Sequence, residues 1–147
     1  MIKLNCFLIA QYAATAADGS LTIAGTFDNL DVKKAPDAPA EAVAAVPLGR
    51  AYLAAVSQAS LEDGLSHRFR LRVMNGNGVP IMNDTFVSVA YRLNAFGRPM
   101  RHHLVLQLKG LILPGPDDYV FELSAENQGV LGELVLSVTD RSGETDA

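Results

Sequence analysis

The sequence predicts an all-β fold, an antiparallel β-sandwich of about eight strands, and three observations lead to it. Residues 101–140 contain three runs in which apolar and polar residues alternate, the period of a strand with one buried face. Turn-forming residues separate the runs of the chain at the spacing typical of a sandwich. Almost no segment has the period of an amphipathic helix. The apolar face of this predicted meander needs a second layer of structure, which the rest of the chain supplies.

The N-terminal third predicts a hairpin followed by a long connection. Residues 2–12 form the first predicted strand, with one apolar face made of Ile2, Leu4, Cys6, Leu8 and Ala10. Its other face is only half polar, since it carries Phe7 and Ile9, so we expect cover on both faces by the domain or by a partner. An Asp-Gly turn leads into a second strand at residues 21–27. Residues 31–47 are rich in alanine and proline, which predicts a crossing loop between sheets.

The remaining strands follow from local patterns. Residues 50–58 are almost continuously apolar and predict a central buried strand, although their alanines leave a helix open. Residues 65–74 predict a strand, because Phe69, Leu71 and Val73 alternate with three arginines, and the Asn-Gly-Asn-Gly segment at residues 75–78 predicts a tight turn into residues 79–93. Residues 101–140 then form the meander. The polar segment at residues 141–147 predicts a flexible tail.

Length, charge and cysteine content limit the classes of function. The chain of 147 residues has the size of one domain, placed at residues 1–140, and its formal net charge is −4. This charge argues against a protein devoted to nucleic acid or to an anionic membrane, and no apolar run is long enough to span a bilayer. The single cysteine, Cys6, excludes an intrachain disulfide and favours the cytoplasm. Small residues at 13–17 leave a signal peptide open, but Asn5 and Gln11 interrupt the preceding apolar run.

Three segments resemble a family of small uncharacterised bacterial proteins. They are CFLIAQYAATAADGSLTIAGTFDNL, RFRLRVMNGNGVPI and LPGPDDYVFEL, and the resemblance spans most of residues 4–126. It implies an immunoglobulin-like sandwich and a bacterial setting. The chain departs from the family pattern at Asp117 and Asp118, which lengthen the step from Pro-Gly to tyrosine. The family has no established activity, so the resemblance implies no catalytic residues.

The sharpest local feature is an arginine stripe, defined as Arg68, Arg70 and Arg72. On a strand, this spacing places three guanidinium groups on one face, an arrangement suited to phosphate or carboxylate. The stripe is therefore a candidate binding site for a small ligand or nucleic acid. The alternative is a solvated sheet face whose arginines pair with Glu122, Glu126 or Glu133 across strands. Nucleic acid is disfavoured because the net charge is acidic and few aromatic residues accompany the stripe.

A second candidate surface consists of apolar residues on faces that should be polar. Its members are Phe7, Ile9, Phe86 and Val135, which we expect to lie in an interface with a protein partner or a second copy of the chain. The alternative is that loops of the same domain cover them.

No motif in the chain indicates catalysis, a metal or a cofactor. His102 and His103 are adjacent, so on a strand they point to opposite faces and cannot share one metal ion. A hydrolase would require His67 or His103 to lie within hydrogen-bond reach of Asp84 or Asp118. We therefore predict a non-enzymatic protein-interaction or assembly module of a bacterium or its phage, with no cofactor. The alternative is a sandwich that binds a small ligand or nucleic acid through the arginine stripe.

Overall fold

The computed structural model describes residues 1–32, 45–48 and 50–141, and the described chain is all-β. A 3₁₀ turn at Leu61–Asp63 is the one helical element in these ranges, and no helix there could cross a membrane. The strands are β1 (Lys3–Thr15), β2 (Leu21–Thr26), β3 (Asn29–Val32), β4 (Val46–Pro47), β5 (Tyr52–Gln58), β6 (Ser66–Met74), β7 (Thr85–Ala90), β8 (His102–Gln107), β9 (Ile112–Leu113), β10 (Asp117–Ala125) and β11 (Gly129–Asp140).

The all-β prediction is therefore confirmed, with eleven strands in place of about eight. Eight strands have six or more residues, whereas β3, β4 and β9 have four, two and two. Strands this short do not produce a recognisable alternation in sequence. The predicted crossing loop contributes its ends to β3 and β4, and its residues 33–44 lie outside the described chain. The predicted tail likewise lies outside it, except for Arg141.

The strands form two main sheets. One has the order β2-β1-β5-β8, the other β3-β11-β10-β6-β7, and β4 pairs with β9 in a small third sheet. All pairs are antiparallel except β3 with β11, which run parallel. The predicted three-strand meander is wrong at its first run, because β8 pairs with β5 in the other sheet and only β10 and β11 form a hairpin. Short β9 and the loop before β10 carry the chain from one sheet to the other.

The apolar faces of both sheets meet in one core. Leu53 and Leu104 of the four-stranded sheet belong to the same buried cluster as Phe69, Phe121 and Leu136 of the five-stranded sheet. Burying each such side chain is worth about 1.5–3 kcal/mol, an upper estimate, so the cluster is the main source of stability. Consecutive residues Leu53, Ala54 and Ala55 of β5 are all buried, which confirms the prediction of a central strand covered on both faces.

An irregularity in β1 changes the faces predicted for that strand. The pairing of β1 with β5 shifts between Leu4 and Cys6, which adds one residue to β1. Beyond the shift, Phe7 and Ile9 turn towards the core, and Ile9 joins the buried cluster. Gly132 of β11 makes room for this packing, since a Cβ atom there would lie 2.7 Å from Cδ1 of Leu4.

The phenol of Tyr119 connects β10 to the loop that precedes it. The side chain is 1% exposed, and its hydroxyl donates to the Gly115 carbonyl oxygen at 2.5 Å. The same hydroxyl accepts from the Gly115 amide at 3.1 Å, so one side chain satisfies two buried backbone groups. Burial raises the pKa of Tyr119 above its usual value.

We predict that Tyr119→Phe destabilises the fold. The change leaves the Gly115 amide and carbonyl without their partner, at a cost of roughly 1–3 kcal/mol for buried groups. Urea denaturation followed by tyrosine fluorescence or circular dichroism measures the free energy of unfolding. Tyr12→Phe is the matched control, because Tyr12 is half exposed. Equal stability of the two variants would contradict the role assigned to the Tyr119 hydroxyl.

Candidate functional site

The arginine stripe lies on the outer face of the five-stranded sheet. Phe69, Leu71 and Val73 alternate with the three arginines along β6 and are buried in the core, so the guanidinium groups point away from it. Strands β10 and β7 flank β6 on its two sides. Arg72 is opposite Glu122 of β10, and Arg70 is opposite both Ser124 of β10 and Phe86 of β7. The predicted placement of the stripe on one sheet face is therefore correct.

One carboxylate, Asp84, pairs with two members of the stripe. Arg72 donates two hydrogen bonds to the carboxylate oxygens of Asp84, both 3.3 Å long. Nε of Arg70 is 3.9 Å from the same carboxylate. The hydrogen bonds from Arg72 raise the pKa of its guanidinium, and the charge of Glu122 adds to this effect. The stripe therefore forms its ion pairs with Asp84 and not with the glutamates predicted to pair with it. Asp84 lies just before β7, where its carboxylate meets Arg72, the last arginine of the stripe.

Arg68 has a different environment from the other two arginines. Its guanidinium carbon is 4.0 Å from the ring centroid of Phe86, a cation–π contact. Around this pair lies a groove of about 320 Å³, here called the stripe groove, which is also lined by Arg70, Ser124, Glu126 and Val130. Nε of Arg70 is buried and has no hydrogen-bond partner. The groove thus offers an apolar floor and charged donors, which suits a carboxylate-bearing side chain or an anionic ligand.

Of the four predicted interface residues, the structure exposes two and buries the other two fully or in part. Phe86 is 50% exposed and Val135 is 48% exposed, both on the outer side of the five-stranded sheet. Ile9 is 1% exposed, so its expected place on a polar face is wrong, and the shift in β1 is the reason. Phe7 packs against the core and is partly buried. Cover by the domain itself therefore accounts for Phe7 and Ile9, while Phe86 and Val135 stay available to a partner.

A second apolar groove lies between β1 and β11. We call it the side groove; it has a volume of about 320 Å³ and is lined by Phe7, Leu8, Ile9, Thr26, Phe27, Asp28, Leu134 and Val135. The exposed carboxylate of Asp28 is its one charged lining group among the described residues. Val135, predicted from sequence, and Phe27, which was not, thus contribute to the same surface.

The most exposed aromatic residue of the described chain, Phe96, was not predicted from the sequence as a functional residue. Phe96 is 89% exposed and lies in the turn between β7 and β8. The available signal was the aromatic residue itself, because residues at a turn tip have no core to face.

The histidines and carboxylates named for a hydrolase do not meet. Nε2 of His67 is 3.0 Å from the Gly64 carbonyl oxygen, and Asp84 is held by arginine. Asp118 accepts a hydrogen bond of 2.6 Å from the Ser137 hydroxyl. Burial lowers the pKa of His102, whose Nδ1 is buried without a hydrogen-bond partner. Over residues 1–32, 45–48 and 50–141, no three histidine, cysteine or acidic side chains are grouped as metal ligands.

Comparison with known families places the chain among proteins of unknown function. The model of the family described as "Family of unknown function (DUF6941)" matches residues 5–139, so the chain belongs to that family. The resemblance of the chain to a family of uncharacterised proteins is thereby confirmed. No curated protein matches the sequence.

We predict that Asp84→Asn destabilises the protein only slightly. The change removes the shared partner of Arg70 and Arg72, and partly exposed ion pairs contribute about 0.2–1 kcal/mol each. The free energy of unfolding in urea should fall by about 1 kcal/mol or less, and the difference should shrink as salt is added. Glu62→Gln is the control, since Glu62 has no ion pair in the described chain. A loss of several kcal/mol would show that Asp84 has a structural role beyond these pairs.

Proposed function

We propose that this member of the DUF6941 family is a non-enzymatic protein-interaction or assembly module of a bacterium or its phage. The observation that carries the proposal is the contact between Arg68 and half-exposed Phe86 at the edge of the stripe groove. Aromatic and arginine side chains are the residues most enriched in the energetically dominant part of protein interfaces. Val130 and Val135 extend the apolar surface of the same sheet, and each is about half exposed. The bacterial setting rests on the resemblance of the three sequence segments.

For the fold, we propose an immunoglobulin-like sandwich. The order β11-β10-β6-β7 corresponds to strands G-F-C-C′ of a variable-type domain, and β1-β5-β8 corresponds to A-B-E. The hydrogen bonds of Tyr119 to Gly115, four residues upstream, resemble the tyrosine corner of such domains. The chain has no tryptophan and one cysteine, so phenylalanine and aliphatic packing would replace the disulfide and tryptophan of antibody domains. Sandwiches of this kind serve many unrelated functions, so the fold alone does not select one.

Two considerations favour binding over chemistry. The two carboxylates named for a hydrolase, Asp84 and Asp118, are engaged by arginine and serine, so neither is poised to orient a histidine. The exposed features are instead apolar side chains next to permanent positive charges, which recognise surfaces and do not transfer protons. We place this activity in the cytoplasm, on the basis of the single cysteine and the absence of a disulfide framework in the sequence.

A second candidate function is the binding of a small anionic ligand or of nucleic acid at the arginine stripe. The observation that favours it is Nε of Arg70, which has no hydrogen-bond partner, on an arginine that lines the stripe groove together with Arg68. A phosphate or carboxylate there would accept the hydrogen bond that Asp84, 3.9 Å away, does not accept. The acidic net charge of −4 weighs against a long polyanion.

We predict that Phe86→Ser weakens binding to the physiological protein partner. Affinity purification from the host lysate should recover a protein in stoichiometric amount, which is then identified by mass spectrometry and purified. The rebuilt complex should bind Phe86→Ser at least about tenfold more weakly, the scale of a truncated interface aromatic. Val79→Ser, a similarly exposed change at the turn after β6, should bind normally. Equal affinity of both variants for the partner would show that the outer sheet face is not part of the interface.

The second candidate has its own test, in which Arg68, Arg70 and Arg72 are all replaced by serine. If a protein surface is the target, nucleic acid and anionic small molecules should be absent from the purified wild-type chain. Recovery of such an anion with wild type, with a salt dependence that the triple variant loses, would instead establish the stripe as a ligand site. That result would replace the interaction proposal.

A further inference from the structure

The turn that carries Phe96 has a fixed geometry. Oδ1 of Asn94 accepts hydrogen bonds from the amides of Phe96 and Arg98, at 2.9 and 3.0 Å. The Asn94 amide donates to the Arg98 carbonyl oxygen at 2.8 Å, and Gly97 has the positive φ of 75° that the turn requires. The backbone and one asparagine side chain therefore hold the turn, and the ring of Phe96 takes no part in it.

The same turn occurs a second time in this chain, without an aromatic residue. Oδ1 of Asn75 accepts from the amides of Asn77 and Val79, at 2.9 and 3.0 Å, and Gly78 has φ 77°. Asn77 occupies the position of Phe96. A polar residue is thus sufficient for this geometry, and an exposed phenyl ring lowers solubility without stabilising the turn. The fold does not explain Phe96, which points to a binding role for its side chain.

The charges around Phe96 indicate what its partner must look like. Residues 91–103 contain Arg92, Arg98 and Arg101 and no carboxylate. A complementary surface has an apolar pocket for the ring and negative charge at its edge. An anionic membrane fits less well, since stable membrane attachment needs more than one acyl chain and a single aromatic side chain inserts less apolar surface than that. The net charge of −4 also opposes approach to such a membrane.

The side groove of the chain itself has the required chemistry. Its lining is apolar apart from Thr26 and Asp28, and its volume of about 320 Å³ is at the lower end of the range for small-ligand pockets, roughly 300–1,000 Å³. Three other grooves of the described chain each contain arginine: the stripe groove has Arg68 and Arg70 beside Glu126, a groove at the β1–β2 turn has Arg92 and Arg101 beside Asp18, and a third has Arg50. Among these four grooves, the side groove alone has a carboxylate and no arginine in its lining. Charge complementarity therefore selects the side groove.

The two surfaces lie on opposite sides of the fold. The Phe96 turn connects β7 and β8, which are the edge strands of the two sheets on one side. The side groove lies between β1 and β11, next to the opposite edges. Because the turn and the groove lie near opposite edges of the sheets, the turn is placed to meet the groove of a second copy and not that of its own chain. Such a contact is heterologous, so it produces a ring or an open chain of copies.

We propose that the Phe96 turn of one copy docks into the side groove of a second copy, head to tail. This inference rests on the proposed function, because it identifies the chain itself as one partner of the interaction module. Phe96 fills the apolar groove next to Val135, and arginines of the turn lie near Asp28. Each copy contributes one turn and one groove.

The test uses one variant for each half of the contact. Phe96→Asn gives the turn the polar tip of the second such turn, at residues 75–79, here called the twin turn. The variant therefore keeps the fold and removes the ring. Val135→Lys places a positive charge in the groove at a half-exposed position, where a polar residue is tolerated on a sheet surface. Sedimentation velocity over a concentration series should show self-association of wild type and at least tenfold weaker association of each variant. Asn77→Ser, at the equivalent position of the twin turn, should associate like wild type.

Mixing the two variants provides the decisive measurement. Phe96→Asn retains an intact groove and Val135→Lys retains an intact turn, so a 1:1 mixture should form a heterodimer with a single contact. Wild type that stays monomeric throughout, association unaffected by Phe96→Asn, or a mixture without heterodimer would each overturn the inference. Binding of wild type to phosphatidylserine vesicles that Phe96→Asn loses would assign the turn to a membrane and overturn it as well. Loss of self-association alone leaves the Phe86-dependent partner binding intact, so the two proposals fail separately.

Discussion

Burial of two apolar sheet faces in one core is the constraint on which the rest of this structure depends. The long strand β1 contributes to this core because the shift after Leu4 turns Phe7 and Ile9 inward. Gly132 adds to this by letting β1 approach β11 closely. The core leaves the outer face of the five-stranded sheet free for other roles. What that face and the turn at Phe96 present to solvent is therefore the information that bears on function.

The arginines of this outer face differ in whether a carboxylate of the protein pairs with them. Asp84 neutralises Arg72 and approaches Arg70, which explains why three arginines in a row are tolerated on one strand. Arg68, in contrast, covers the ring of Phe86 and has no carboxylate partner in the described chain. Desolvating a delocalised guanidinium that already contacts an aromatic ring costs less than desolvating a hydrated ammonium, which suits an interface.

The sequence predicted the features that depend on local periodicity. Alternation located β6 and β10, placed the arginine stripe opposite Phe69 and Leu71, and indicated the turn at Asn75. It failed where tertiary contacts decide: β8 joins the other sheet, and the shift in β1 buries Ile9. Phe96 went unrecognised because strand alternation says nothing about a turn tip, where the aromatic residue itself was the available signal. Asp84 was considered as a hydrolase carboxylate and not as a partner of the stripe, since its pairing with the stripe depends on how the chain enters β7.

Hydrogen–deuterium exchange of the wild-type chain at low and high protein concentration tests whether the exposed apolar features of this domain are docking surfaces. If they are, amides of residues 94–98 and of residues 26–28 gain protection together as the concentration rises, while those of the twin turn at residues 75–79 do not change. Exchange that is independent of concentration at both segments would contradict this role, because the Phe96 turn and the side groove would then have no partner in a second copy.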